Sequence, residues 1–105
     1  MTPADILRAA KARIATPERW TRGTMARDED GNGVASVSDH ACAWCSLGAM
    51  EAEAGASTRA RVYAIRALNR AIDNKPIDDW NDAPGRTHAE VLAAFDRAIA
   101  IAEAP

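Results

Sequence analysis

Apolar residues recur at helical spacing through most of this chain, in segments where alanine is the commonest residue. Alanine is the strongest helix former, and this spacing places one apolar stripe on each helix. Proline and glycine concentrate in two interruptions, residues 16–33 and 75–85. The pattern predicts a mainly α fold: a compact bundle of about four helices with a short β-hairpin or irregular insertion after the first helix.

Helix boundaries are clearest near the two ends of the chain. The first helix is predicted over Pro3–Ala15 with Thr2 as its N-cap, and the last follows the T-x-x-E capping box of Thr87 and Glu90. Across the whole bundle, the residues predicted to face the core are Ile6, Leu7, Ala10, Ile14, Leu47, Met50, Ala54, Val62, Ile65, Leu68, Ile72, Val91, Leu92, Phe95, Ile99 and Ala102.

Two more helices are predicted in the middle of the chain. One starts within residues 42–46 and ends at Gly55, and the other starts at Ser57 or Thr58 and ends before the Asn-Lys-Pro sequence. Glycine and proline account for these ends, because glycine readily terminates a helix and proline cannot continue one. All four helices are expected to share one core, in a single domain covering residues 1–105.

The two interruptions carry no helical period. In the first, the Asp30–Gly33 sequence favours a tight turn, which predicts a short hairpin with arms at Met25–Arg27 and Val34–Ser36. In the second, Ile77–Trp80 is predicted as a single helical turn and residues 81–86 as a loop. Because an isolated hairpin is only marginally stable, the first segment is expected to lie against the helices.

The charge and hydropathy of the chain argue against some classes of function. The formal net charge is -2, whereas proteins that bind duplex nucleic acid by neutralising phosphates are usually basic. No apolar run is long enough to cross a membrane, and the N-terminus has no signal-peptide core. A cytoplasmic protein without a duplex nucleic-acid or membrane partner is predicted, and its cysteines are expected to be thiols.

The sequence HACAWCSLGAM holds both cysteines of the chain in a C-x-x-C spacing. A zinc site would draw on Cys42, Cys45, His40 and His88, but a second C-x-x-C is missing. A thioredoxin-like pair would need a strand before it. No metal and no cofactor is therefore predicted, and the segment is interpreted as the packed start of a helix, in which Cys45 and Trp44 face neighbouring residues.

Cys45 is also a candidate nucleophile. It lies near the N-terminus of a predicted helix, where the helix dipole and free N–H groups lower the pKa of a thiol. His88 is a candidate base, with Asp82 or Asn81 to orient it, which would give a Cys-His-Asp arrangement for hydrolysis or acyl transfer. The alternative is a small buried thiol beside Leu47, since free cysteine is among the most buried residue types.

The two interruptions share an unusual density of aromatic, guanidinium and carboxamide groups. We expect them to meet at the mouth of the bundle, where tryptophan would stack a base and arginine would bind phosphate. Alternatively, the tryptophans cover the open end of the core and the charged groups tie one loop to the other. The candidate ligand-binding residues are Trp20, Arg22, Arg27, Asp28, Trp80, Asn81, Asp82, Arg86 and Thr87.

Three sequence blocks together resemble a known family. They are ERWTRGTMARD-x-x-G at Glu18–Gly31, CSLGAM at Cys45–Met50, and WNDAPGRTHAEVLAAFDRAI at Trp80–Ile99. The family is an uncharacterised one of small proteins from bacteriophages and bacteria. The resemblance implies a small, mostly helical accessory protein, often encoded by phages, with no established reaction. It also implies that relatives usually keep the cysteine matching Cys45, whereas Cys42 often has no counterpart.

Three functions are compatible with these residues. The first is a protein that binds, and thereby sequesters, a small anionic or nucleotide-derived ligand between the two Trp-Arg segments. The second is a protein-interaction module, in which an exposed helical face forms a homodimer or binds a host protein. Arg59, Arg66 and Arg70 share one helix face, for which a solvated surface is the default interpretation and a partner surface the alternative. The third is a hydrolase or transferase that uses Cys45.

Overall fold

The computed structural model describes residues 1–55 and 58–104 of the chain. Its helices are α1 (Pro3–Arg13), α2 (Ser46–Ala54), α3 (Thr58–Ala71), α4 (Ile77–Asp82) and α5 (His88–Glu103). Its strands are β1 (Ala26–Arg27), β2 (Gly33–Val34) and β3 (Ala43–Trp44), and a 3-10 turn covers Pro17–Arg19. The predicted mainly α fold, with a hairpin after the first helix, is confirmed. The predicted helix start at Ser57 lies outside the described residues.

The four long helices, α1, α2, α3 and α5, share one hydrophobic core. α3 packs mainly on α5, while α1 contacts both α2 and α5. Alanines supply much of this core, and their small side chains let the helices approach closely. The core alanines on these helices include Ala10, Ala49, Ala64, Ala67, Ala94 and Ala98. None of the described helices is long and apolar enough to cross a membrane.

Capping boxes begin α1 and α5: the box of α5 and the Thr2 N-cap of α1 were predicted, and the reciprocal hydrogen bond from the Thr2 amide to Asp5 adds a full capping box to α1. Thr2 Oγ1 accepts a 3.1 Å hydrogen bond from the Asp5 amide, and the Asp5 carboxylate accepts one of 2.9 Å from the Thr2 amide. Thr87 and Glu90 repeat this arrangement at α5, with distances of 3.1 and 2.8 Å. These hydrogen bonds lower the pKa of both carboxyl groups below their ordinary values. α1 ends at Arg13, slightly earlier than predicted.

The small sheet joins the hairpin to the start of α2. β1 lies between β2 and β3 and is antiparallel to both, so Ala26 pairs with Val34 on one side and with Trp44 on the other. The hairpin agrees with the prediction, but β3 is an addition, because two residues are too few to show the alternation of a strand. Gly48 of α2 lies so close to the Met25 carbonyl oxygen that a Cβ would overlap it, and this contact seats the sheet directly on α2.

The core prediction for α3 is wrong at Val62, which is 39% exposed. The buried face of α3 runs through Ala64, Ala67 and Leu68 instead, and this is the face that packs on α5 and α1. Val62 lies two positions before Ala64, and helical geometry therefore places it on a different side of α3 from this buried face. Helical spacing alone did not distinguish the two faces because both carry apolar residues.

α4 is longer than the single turn predicted over Ile77–Trp80. It continues through Asn81 and Asp82, which the sequence pattern assigns to a loop. The predicted loop is therefore shorter than expected and begins at Ala83, the C-cap of α4. The two added residues carry the side chains that hold the irregular segments together.

Candidate functional site

Residues 20–23 and 80–86 meet in space, as predicted, and their region of contact is called the junction here. At its centre the Asn81 side chain is fully buried. Asn81 Oδ1 accepts hydrogen bonds from Trp20 Nε1 at 2.8 Å, and from the amide and hydroxyl groups of Ser46 at 3.0 and 2.7 Å. One carboxamide oxygen therefore ties the first irregular segment and the start of α2 to α4.

Two further contacts cross the junction. The Gly23 amide donates to Asp82 Oδ1 at 3.0 Å, and Asn81 Nδ2 donates to the Thr21 carbonyl at 3.1 Å. Asn81 Nδ2 also donates to Asp82 Oδ1 at 3.0 Å, which connects the two bridges. In the described part of the chain, no buried side-chain nitrogen or oxygen lacks a hydrogen-bond partner. The polar side chains of the junction therefore already have hydrogen-bond partners within the protein.

The arginines of the junction also bond to the protein itself. Arg22 donates to the carbonyl oxygens of Ala83, at 3.4 Å, and of Arg86. Arg86 Nε donates to the Trp80 carbonyl at 2.9 Å. Backbone carbonyl oxygens therefore occupy donors that a phosphate group would need, and these contacts are more consistent with a structural role than with ligand binding.

Each tryptophan has a guanidinium group over its ring. Trp44 and Trp80 are 5% and 8% exposed, and Trp20 is partly buried. The distances from guanidinium carbon to ring centre are 4.5 Å for Arg13 on Trp44, 5.1 Å for Arg22 on Trp20 and 4.0 Å for Arg86 on Trp80. Such stacking shields a ring face and orients the arginine. An incoming base would have to compete with these guanidinium groups.

Three of the candidate ligand-binding residues lie outside the centre of the junction. Arg27, on β1, donates to Thr21 Oγ1 at 2.8 Å and to two carbonyl oxygens of its own segment at 2.7 and 2.9 Å. Asp28 Oδ1 accepts from two amides of the hairpin turn, at 3.0 and 2.9 Å. Thr87 is the N-cap of α5. Each of these side chains has a local structural partner.

Cys45 is the N-cap of α2 and is 3% exposed. Its sulfur accepts a 3.3 Å hydrogen bond from the Gly48 amide and lies 3.9 Å from the Met25 sulfur. Burial raises the pKa of the Cys45 thiol above its ordinary value, and the nearby Asp82 carboxylate adds to this rise, although backbone N–H groups oppose it. The thiol form is therefore favoured at neutral pH. The interpretation that Cys45 and Trp44 face neighbouring residues is confirmed.

In the structure, Cys45, His88 and Asp82 do not form the proposed Cys-His-Asp arrangement. His88 Nε2 lies 2.7 Å from the Ile14 carbonyl oxygen, to which it donates, and its ring centre is 6.0 Å from that of Trp20. Cys45 and Asp82 line the same small cavity, of about 170 Å³. No hydrogen bond among the described residues connects His88 with either of them.

The two cysteines lie in different surroundings. Cys42 is exposed, Cys45 is buried, and both are free thiols. Among the described residues, no three His, Cys, Asp or Glu side chains are grouped closely enough to hold a metal ion.

A groove follows the outer side of α3 and is called the α3 groove here. It consists of three adjoining concavities of about 330, 480 and 520 Å³. The first shares Pro3 and Tyr63 with the second, and Arg66 and Arg70 with the third. Its walls come from α3, the start of α1, the end of α5 and the segment before α4. The residues that define it are Pro3, Arg59, Tyr63, Arg66, Arg70 and Ile101.

The α3 groove combines exposed apolar surface with positive charge. Arg59, Tyr63, Arg66 and Arg70 follow one another at helical spacing and share one face of α3. Tyr63 is 46% exposed, and the neighbouring Val62 is also exposed. None of the described residues that line the groove is acidic, and the ion pairs of the described chain all involve other residues. Within the described part of the chain, the arginines of the groove therefore have no ion-pair partner.

Sequence reasoning found only part of this surface. It identified the shared face of Arg59, Arg66 and Arg70, but it did not include Tyr63 or the groove walls supplied by α1 and α5. The available signal was Val62-Tyr63, an apolar pair on the same side of the helix as the arginines. A simple solvated face would carry polar residues there.

These features define a small helical domain with a hydrogen-bonded junction and one basic, partly apolar groove. A family model described as a family of unknown function, DUF6197, matches residues 1–101, and the chain belongs to this family. No curated protein and no solved structure matches the chain. The resemblance to an uncharacterised family is therefore confirmed.

Proposed function

We propose that this protein is a non-catalytic interaction module that binds another protein through the α3 groove. The observation that carries the proposal is the composition of the groove, in which Tyr63 is exposed beside three arginines and none of the described lining residues is acidic. Val62, next to Tyr63 in the chain, is exposed as well. Exposed apolar surface rimmed by charge is typical of protein-binding sites. The resemblance to phage and bacterial proteins suggests an accessory role of this kind inside a bacterial cytoplasm.

The junction supports this proposal by supplying a rigid scaffold. Its hydrogen bonds fix the irregular segments against α2 and α4, and α2 in turn packs on α3. Sequestration of a nucleotide-derived ligand at the junction would first require breaking the contacts of Arg22 and Arg86 with the backbone. A hydrolase or transferase using Cys45 would require a buried, protonated thiol to become exposed and ionised.

Site-specific photo-crosslinking in bacterial cells tests the proposal. The photoreactive residue p-benzoylphenylalanine would replace Tyr63 in the groove or, as a control, the exposed Ala93 on α5. We expect discrete protein adducts from position 63 that are absent from position 93. The adducts should disappear when Arg66→Glu and Arg70→Glu are added, because the groove then loses its positive rim.

Two results would contradict the proposal. One is the absence of any adduct from position 63. The other is a set of adducts that is the same at both positions, or that persists unchanged after the two charge reversals. Far-UV circular dichroism and urea unfolding of the variants would establish that the bundle is intact, since all substituted positions are exposed.

A further inference from the structure

We propose that the occupant of the α3 groove is an acidic, amphipathic helix of a partner protein. The proposal rests on the interaction-module function given above and specifies the chemistry of the partner. Its basis is the combination, in one groove, of an apolar floor and an arginine rim that lacks acidic residues. Helix-in-groove recognition uses these two components: apolar anchors fill the floor, and charges at the edge fix orientation.

The dimensions of the groove suit a helix. It extends along α3, whose 14 residues span about 21 Å at the helical rise of 1.5 Å per residue. The floor is made largely of small or flat apolar residues, including Pro3, Ala67 and Ala102. Small residues on one helix let a second helix approach closely, as alanines already do inside this bundle. A partner helix of three to four turns would bury apolar side chains at i, i+4 and i+7 along this floor.

The charges of the groove select an acidic partner. α3 carries Arg59, Arg61, Arg66 and Arg70 and no acidic residue. This local concentration of positive charge is opposite in sign to the net charge of the whole chain, which is -2. Three of the four arginines line the groove, where a guanidinium can bind a carboxylate through two parallel hydrogen bonds. Glu or Asp residues flanking the apolar anchors would complete ion pairs that the described residues of the chain do not supply.

The same groove is less suited to nucleic acid. Single-stranded nucleic acid is usually bound by several exposed aromatic rings along a basic path, and Tyr63 is the one aromatic residue among the described groove residues. The Arg66 guanidinium already lies 5.6 Å from the centre of its ring. Elsewhere, the cavity of about 330 Å³ beside the hairpin is lined by Asp28, Glu29 and Asp30, which would repel a long polyanion.

Selection from a random 16-residue peptide library displayed on phage tests the inference. The bait is the full chain, and the counter-selection bait carries Arg66→Glu and Arg70→Glu. We expect the retained peptides to be enriched in Glu and Asp and to carry apolar residues at i, i+4 and i+7. A matched bait with Arg19→Glu, an exposed position in the 3-10 turn, should retain the same peptides.

Exchanging the charges of the groove and the peptide then identifies the residues that contact each other. The best peptide should bind at least about tenfold more weakly to the Arg66→Glu/Arg70→Glu protein, measured by fluorescence anisotropy. A version of the peptide with its acidic residues changed to lysine should regain affinity for that variant and lose it for the natural protein. Such a reciprocal switch requires the peptide carboxylates to face these two arginines.

Several outcomes would overturn the inference. They are selected peptides without acidic enrichment, an affinity unchanged by charge reversal, or tighter binding of a 20-nucleotide single-stranded DNA in the same assay. Self-association in sedimentation that is abolished by Arg66→Glu and Arg70→Glu would identify a second copy as the occupant instead. Groove-dependent crosslinks in cells together with non-acidic peptides would leave the interaction-module function standing and remove only the acidic helix.

Discussion

Trp20 Nε1 donates a 2.8 Å hydrogen bond to Oδ1 of Asn81, a side chain that lies 61 positions further along the chain and is fully buried. The same oxygen accepts both polar hydrogens of Ser46. Three segments that are far apart in sequence therefore depend on one acceptor. This relationship explains why the irregular segments hold a defined structure without forming long helices or strands.

We expect Asn81→Ala to be the most destabilising polar substitution in the junction. It would leave the Trp20 indole and two Ser46 groups without an acceptor, and each buried unsatisfied group costs about 1–3 kcal/mol. The free energy of unfolding, measured by urea titration, should fall by about 3–5 kcal/mol. Asp79→Ala, on the exposed side of α4, should change it by less than about 0.5 kcal/mol. Equal effects at both positions would show that the Asn81 contacts contribute little.

Gly48→Ala should destabilise the protein although alanine is the better helix former. A Cβ at Gly48 would overlap the Met25 carbonyl oxygen, so the sheet would have to move away from α2. The expected loss is about 1–3 kcal/mol. At Ala52, in the same helix and partly buried against the core, the reverse substitution to glycine should cost at least about 0.5–1 kcal/mol, because backbone entropy and the packing of one methyl group are both lost. If Gly48→Ala instead raised the stability, the close approach of β1 and α2 would not exist in solution.

Cys45 should react slowly with iodoacetamide in the folded protein. Burial raises the pKa of its thiol, so little thiolate is present at pH 8, and the sulfur is also shielded. In a Cys42→Ser variant we expect labelling at least about tenfold slower than in a Cys45→Ser variant, which keeps the exposed Cys42. Both rates should become similar in urea. Fast labelling of Cys45 with an apparent pKa below the ordinary value would favour the nucleophile hypothesis.

The free energy of unfolding should fall in acid, because the carboxylates of the two capping boxes become protonated. Hydrogen bonds from Thr2 and Thr87 lower the folded-state pKa of Asp5 and Glu90, whose ordinary values are 3.8 and 4.5. A carboxyl group whose pKa is lower in the folded state stabilises the fold at pH values above its unfolded-state pKa. That stabilisation is lost as the pH falls through the folded-state pKa. Urea unfolding across this acidic range should therefore show a smaller loss for Glu90→Gln, which keeps an acceptor but does not titrate. A Glu29→Gln variant, at an exposed position outside the capping boxes, should keep the acid loss of the natural chain.

The sequence predicted the helices well where local signals coincide. The stripe of Ile6, Ala10 and Ile14 follows a capping threonine, and the T-x-x-E box of α5 lies directly before its apolar residues. In both cases the interactions that define the element lie within a few residues of one another. Helix type and approximate ends could therefore be predicted without knowledge of the rest of the fold.

The sequence was less informative where a partner lies far away. Asn81 appeared to belong to a loop, because its buried contacts come from Trp20 and Ser46. β3 depends on pairing with β1 and leaves no alternation of its own. Val62 was assigned to the core because its spacing fits both faces of α3. The convergence of the two Trp-Arg segments was predicted from composition, but that composition did not reveal how far their polar groups would bond to one another.

Dependence on Asn81 also has a consequence for folding. Closing the junction brings Trp20, Ser46 and Asn81 together, and these side chains are held by elements that pack through the helical core. We expect the helical core to form before this closure, so that the junction is assembled on the native side of the folding transition state. Asn81→Ala should then accelerate unfolding while leaving the folding rate nearly unchanged, a φ-value close to zero in stopped-flow measurements.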